Sequence, residues 1–141
     1  MSQVQSKIFT HRTSCPVKGL LTTPLYVRHK NIALKITAMF DTGAETSVIS
    51  PTLREYLDIP TCCSADIRGV HGVQECDVVR ADISFDDNMW FIKRRLPVCD
   101  FSRTGIDILI GLDILKKGEF TVKNNKDQVD ITFSMELTEQ I

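Results

Sequence analysis

Apolar and polar positions alternate from Ile32 to Thr37: Ile32, Leu34 and Ile36 against Ala33, Lys35 and Thr37. A period of two is that of a strand with one buried face. Leu25 to His29 reads as its partner strand, with Lys30-Asn31 as the two-residue turn. This hairpin leads into an apolar run, Ile36-Thr37-Ala38-Met39-Phe40, and a second apolar stretch, Ser47-Val48-Ile49, reads as another strand. Ser50-Pro51 then opens a helix, with serine as the N-cap and proline at the first helical position. Leu53, Tyr56 and Leu57 fall on one helical face, and Pro60 ends the helix. Residues 65–85 pattern as a long hairpin with Gly69 and Gly72 at its tip. Asp86-Asp87-Asn88 is a turn, and Met89 to Lys93 is the next strand, in which Trp90 reads as a packing residue. Leu96 to Cys99 is short and extended, and Ser102 to Gly105 is a loop. An apolar strand then runs into Gly111, followed by a helix over about Asp113 to Lys117 that Gly118 would cap. Phe120 and Val122, a turn at 124–127, and Val129, Ile131 and Phe133 predict a C-terminal β-hairpin, with residues 135–141 fraying.

Many short strands, frequent turns and two short helices predict a mainly β fold, closed or nearly closed. An apolar strand, a polar loop and a short helix occur at 36–57 and again, faintly, at 106–117. The chain has 141 residues, enough for one hydrophobic core. We divide it into an N-terminal arm at 1–19, a folded domain at 20–135 and a tail at 136–141. The arm is polar and without pattern, and is expected either to be disordered or to order against a partner.

Net charge is −1, which gives no electrostatic case for nucleic acid or an anionic membrane. No apolar run approaches membrane-spanning length, and the first residues lack the apolar core of a signal peptide. The expected location is cytoplasmic. Cys15, Cys62, Cys63, Cys76 and Cys99 are an odd number without a Cys-x-x-Cys, which favours reduced thiols. His11, His29 and His71 have no metal-ligand spacing, so neither a metal nor another cofactor is expected.

Candidate chemistry lies at Asp41-Thr42-Gly43-Ala44, between two apolar strands. A carboxylate at the end of an apolar strand lies near the core, where burial of its charge is costly. Thr42 offers a local hydroxyl, and Gly43 with Ala44 keeps the loop low enough for another backbone to approach. A polar turn is the competing reading, since Asp and Gly are turn residues. One such loop supplies one acid. Two face to face would share a proton and could activate water against a peptide bond.

Asp41-Thr42-Gly43-Ala44-Glu45 followed by Ile108-Leu109-Ile110-Gly111-Leu112-Asp113 resembles the retroviral-type aspartic proteases, the retropepsins, and is closer to their transposon-encoded, cellular and bacterial members than to the viral enzymes. Between the two, Ile67-Arg68-Gly69-Val70-His71-Gly72-Val73 resembles the hairpin flap that closes over substrate in that family. The resemblance spans about residues 20 to 120. It implies a retropepsin-like closed β-barrel, one lobe per chain, and an aspartic endopeptidase in which a homodimer brings two Asp41 carboxylates to its axis. Thr42 and Gly43 would support the catalytic loop. Met39, Gly43, Ala44, Glu45, Gly69, Val70 and Leu109 would contact an extended polypeptide substrate, with hydrophobic residues preferred beside the cut.

Only one Asp-Thr-Gly is present, and Gly111 brings no acid to the second motif. Asp107 and Asp113 stand nearby without the Thr-Gly context. Viral enzymes usually carry arginine where this chain has Leu112, so Glu45 lacks the partner that arginine would provide. A retropepsin-like dimerisation or peptide-binding module without turnover is the alternative.

Overall fold

The computed structural model describes residues 4–69, 72–101 and 103–140. The strands are β1 (Val4–Pro16), β2 (Thr22–His29), β3 (Ile32–Phe40), β4 (Val48–Ile49), β5 (Cys63–Gly69), β6 (Gly72–Ser84), β7 (Trp90–Pro97), β8 (Ile108–Ile110), β9 (Gly118–Asn125) and β10 (Gln128–Gln140). The helices are α1 (Pro51–Leu57) and α2 (Leu112–Leu115). The mainly β expectation with two short helices holds. In one sheet the order is β4-β8-β3-β2-β6-β5, with β7 also paired to β6; in the other it is β1-β10-β9. Neither sheet closes along a full ladder, so the expected barrel is not confirmed. The larger comes nearest to closure where a single bridge joins Ile49 to Val98, just beyond β7.

The β2–β3 hairpin turns at Lys30, which takes a positive φ of 54°. α1 begins as its sequence dictates: the Ser50 hydroxyl accepts from the Leu53 amide at 3.1 Å, and Pro51 occupies the first turn. Leu53 and Leu57 are buried, but Tyr56 is 71% exposed and does not share their buried face. Gly118 is not a helix cap. Lys116 caps α2 in a right-handed conformation, and Gly118 opens β9. A Cβ at Gly118 would collide with the Ser134 carbonyl oxygen on the paired strand β10, so close strand packing, not a cap, requires glycine there. The C-terminal turn is confined to Lys126-Asp127, and β10 continues to Gln140 instead of fraying from 135.

Residues 4–16 pair with the whole of β10, from Val4 opposite Gln140 to Pro16 opposite Gln128. This long strand lies where the sequence showed no pattern. The two sheets meet over one core that includes Leu25, Val27, Ile83, Leu96, Ile108, Ile110, Ile131 and Phe133. Phe85, just after β6, is its aromatic hub: its ring neighbours are Phe9, Phe40, Phe91, Phe133 and His11. Alternation sends Ala38 and Phe40 into this core and leaves Met39 on the other face. Ile108 and Ile110 likewise point inward, away from Leu109.

Candidate active site

The loop carrying Asp41 is placed by β8. β3 runs parallel to β8, with Met39 opposite Leu109 and Phe40 opposite Ile110. β4 runs antiparallel to its other side, with Val48 opposite Leu109. The strand entering the acid loop and the strand leaving it therefore flank β8, and the loop spans its C-terminal end. Gly111 lies directly beneath. A Cβ there would come within 2.7 Å of the Ala44 carbonyl oxygen and 2.8 Å of Thr46 backbone atoms. Glycine at 111 is thus a condition of the loop's height.

Backbone bonds hold this loop at both ends. The Asp41 amide donates to the Ile110 carbonyl at 2.9 Å. The Ala44 carbonyl accepts from the Leu112 amide at 2.8 Å, and the Glu45 carbonyl from the Asp113 amide at 3.2 Å. The amides at a helix N-terminus lack intrahelical acceptors. α2 has no side-chain cap at Gly111, so the acid loop itself serves as its cap. Within the loop, the Gly43 amide donates to Asp41 Oδ1 at 2.9 Å, and the Ala44 amide to the Asp41 carbonyl at 3.2 Å. The Asp41 carboxylate is half-buried and has no ion-pair partner among the described residues, while Thr42 and Gly43 are exposed. The loop can present the carboxylate outward, fixed by one amide.

The expected contact residues divide. Met39 and Leu109 are adjacent, and with Val48 and Ile106 they form a second, smaller apolar cluster, on the sheet face away from the main core and next to the acid loop. Ala44 is half-buried in the loop, and Glu45 is exposed. Gly69 ends β5 opposite Gly72, whose φ is 108°. It is carried on the β5–β6 hairpin, a separate element from the acid loop. Val70 and His71 lie outside the described residues. A concavity of about 630 Å³ lies against the start of α1, Asp100, Phe101 and residues 103–107, and no acid-loop residue is among the described residues of its wall.

Three residues bind the loop together that motif reading did not single out for this role. Ser47, only 1% exposed, donates its hydroxyl to Asp113 Oδ1 at 2.7 Å and accepts from the Gly111 amide at 3.0 Å. Its own amide donates to the same Asp113 oxygen at 2.9 Å. Arg94 Nη2 lies 3.6 Å from Asp113 Oδ2. A polar residue inside the apolar Ser47-Val48-Ile49 run was the available signal, since a buried hydroxyl demands a partner. Asp107 instead accepts from the Ser50 hydroxyl at 3.3 Å, beside the start of α1.

All five cysteines are free. Cys76 Sγ and Cys99 Sγ are 3.3 Å apart, and burial together with the Cys76 thiol pushes Cys99 up to about 12. Among the described residues, no cluster of His, Cys, Asp or Glu is arranged to hold a metal ion, and no helix is long and apolar enough to cross a membrane.

The fold is mainly β and sets an Asp-Thr-Gly loop over a glycine-ended apolar strand. The sequence model of the family described as Aspartyl protease matches residues 26–114. The chain belongs to the aspartyl protease family. Its fold is similar to that of a retropepsin-like aspartic protease from Rickettsia conorii, at TM-score 0.62 and 14% identity over 93% of this chain and 96% of that one. It is also similar to the EIAV protease solved with the inhibitor HBY-793, at TM-score 0.57 and 22% identity over 71% of this chain and 88% of that one. No curated protein matches the sequence.

Proposed function

We propose that the chain is an aspartic endopeptidase whose active site is assembled from two copies, each supplying Asp41. The observation that carries this reading is the acid loop itself: one half-buried carboxylate in a loop braced on Gly111, with no second Asp-Thr-Gly in the chain. One carboxylate cannot take a proton from water and also hold one for the substrate carbonyl. A C2 dimer places the same loop on both sides of its axis. Two carboxylates about 4 Å apart repel by about 4 kcal/mol at an effective dielectric of about 20, which separates their titrations by about three pH units. The pair therefore shares one proton at mildly acidic pH. The charged member deprotonates water, the protonated member donates to the scissile carbonyl oxygen, and no covalent intermediate forms.

The β5–β6 hairpin acts as the flap, with Gly69 at the end of its first strand, and an extended peptide binds between it and the acid loops as an added strand. Gly43 accepts a main-chain hydrogen bond from the substrate. Ala44 and Glu45 border the peptide, while Met39 and Leu109 give the pockets their apolar walls and so favour hydrophobic residues beside the cut. Thr42 braces the two loops across the axis. The enzyme acts in the cytoplasm without metal or cofactor. The test is cleavage of a mixed peptide library across mildly acidic pH, wild type beside Asp41→Asn. We expect cuts that vanish in the variant, a loss of at least about 10³-fold given that acid–base groups contribute about 10²–10⁴-fold each. A folded, dimeric wild type that cuts nothing would refute the reading in favour of a binding module.

A further inference from the structure

We propose that Ser47 and Asp113 form a positioning pair that fixes the acid loop for turnover, with Arg94 as the counter-charge that holds Asp113 in place. This rests on the reading of Asp41 as the acid of a peptidase site. Three hydrogen bonds converge on Ser47: its hydroxyl and amide both reach Asp113 Oδ1, and the Gly111 amide reaches its hydroxyl oxygen. The entry to the loop is held by the Asp41 amide on Ile110, and its middle by Ala44 and Glu45 on α2. Ser47 secures the exit. All three anchorages fall on one short segment, Ile110 to Asp113, so the acid is referenced to a single rigid support.

The division of contacts argues against an incidental acid in the first turn of a helix. Asp113 gives Oδ1 to Ser47 and Oδ2 to Arg94, so each oxygen has its own partner. α2 has only four residues, too few for its dipole to account for a carboxylate there. Arg94 comes from β7, its Nε is buried without a hydrogen-bond partner, and its Nη2 pairs with Asp113 Oδ2 at 3.6 Å. The buried Ser47 hydroxyl and amide are satisfied by a residue 66 positions away in sequence, not by a local turn. If this hub is lost, the loop can shift over Gly111 while the fold remains. A displacement of about 1 Å at a reacting group costs about 10²-fold in rate.

The test compares Ser47→Ala, Ser47→Thr, Asp113→Asn and a core control, Ile131→Val, on the full chain. We expect Ser47→Ala to lower kcat by at least about tenfold with KM within about twofold, the pattern of a misplaced acid and not of weaker substrate binding. Ser47→Thr keeps the hydroxyl and should restore most of the rate. Asp113→Asn, which keeps an acceptor oxygen but loses the charge facing Arg94, should fall between. Ile131→Val should lower the thermal midpoint without a selective loss of kcat. A Ser47→Ala enzyme with unchanged kcat, or one whose loss merely matches Ile131→Val at equal destabilisation, would overturn the proposal. Amide hydrogen exchange decides the point even if the wild type cuts no peptide, an outcome that would count against the proposed function alone. Faster exchange at Asp41, Gly43 and Gly111 in Ser47→Ala upholds the positioning pair, and unchanged exchange there overturns it.

Discussion

At the scale of the residue, Gly111 shows how little freedom the site leaves. The three nearest atoms to an added Cβ are all backbone atoms of the acid loop, between 2.7 and 2.8 Å away, and backbone cannot rotate aside as a side chain can. Gly111→Ala should therefore lift or tear the loop. We expect a stability loss at or above the usual overpacking cost of about 1–3 kcal/mol, with catalysis lost more completely than stability; denaturant unfolding and a peptide-cleavage assay on the same preparation check both. Asp41 and Gly111 were legible because they stand in short motifs whose residue types are the message. Ser47 and Asp113 were not. Asp113 was visible only as an acid without the right neighbours, and nothing in sequence says that its partner lies at Ser47. That pairing exists because β8 inserts between β3 and β4 and brings residue 111 under residue 44. Tyr56 failed for a related reason: helical spacing assigns it a face, but only the packed fold decides how wide the buried stripe is.

At the scale of the element, β1 was the least readable strand. Its inward positions are Phe9, His11, Thr13 and Cys15, so two of the four are polar and the apolar alternation is broken. His11 is nevertheless well used. Its Nε2 lies 2.8 Å from the Thr23 hydroxyl, which itself donates to the Pro24 carbonyl, so the imidazole is the donor. Its ring stacks on Phe85 with centroids 4.8 Å apart. Burial lowers its pKa below the ordinary 6.5, partly offset by the Asp86 carboxylate. The folded state therefore prefers neutral His11. Its contribution is fully present above pH 6.5 and is lost as pH falls through the lowered value. We expect β1 amides to lose exchange protection on acidification over that window in wild type, and less so in His11→Gln. An identical decline in both would contradict the assignment. The hairpins β2–β3 and β9–β10 were easier to read, because their turns and alternation agree. Gly118 was misread because a glycine after a helix has two explanations, and only the Ser134 carbonyl beside it selects the second.

At the scale of the molecule, Phe85 joins the two sheets, contacting rings from β1, β3, β7 and β10. Truncation to alanine should cost about 3–5 kcal/mol, as for other buried aromatic residues, and denaturant titration should show one cooperative transition moved to lower concentration. The mainly β class was legible from periodicity. The openness of both sheets was not, since closure depends on whether β4 and β7 pair along a ladder or touch at one bridge. In a single chain the acid loop carries one aspartate and the concavity of about 630 Å³ lies elsewhere, so the proposed activity requires a second copy. The most direct test mixes wild-type and Asp41→Asn chains at constant total concentration, allows subunits to exchange, and measures peptide cleavage. If both acids are needed, activity falls as the square of the wild-type fraction, because every mixed dimer is inactive. A fall in simple proportion to the wild-type fraction would mean that each chain acts alone, and would contradict the shared site.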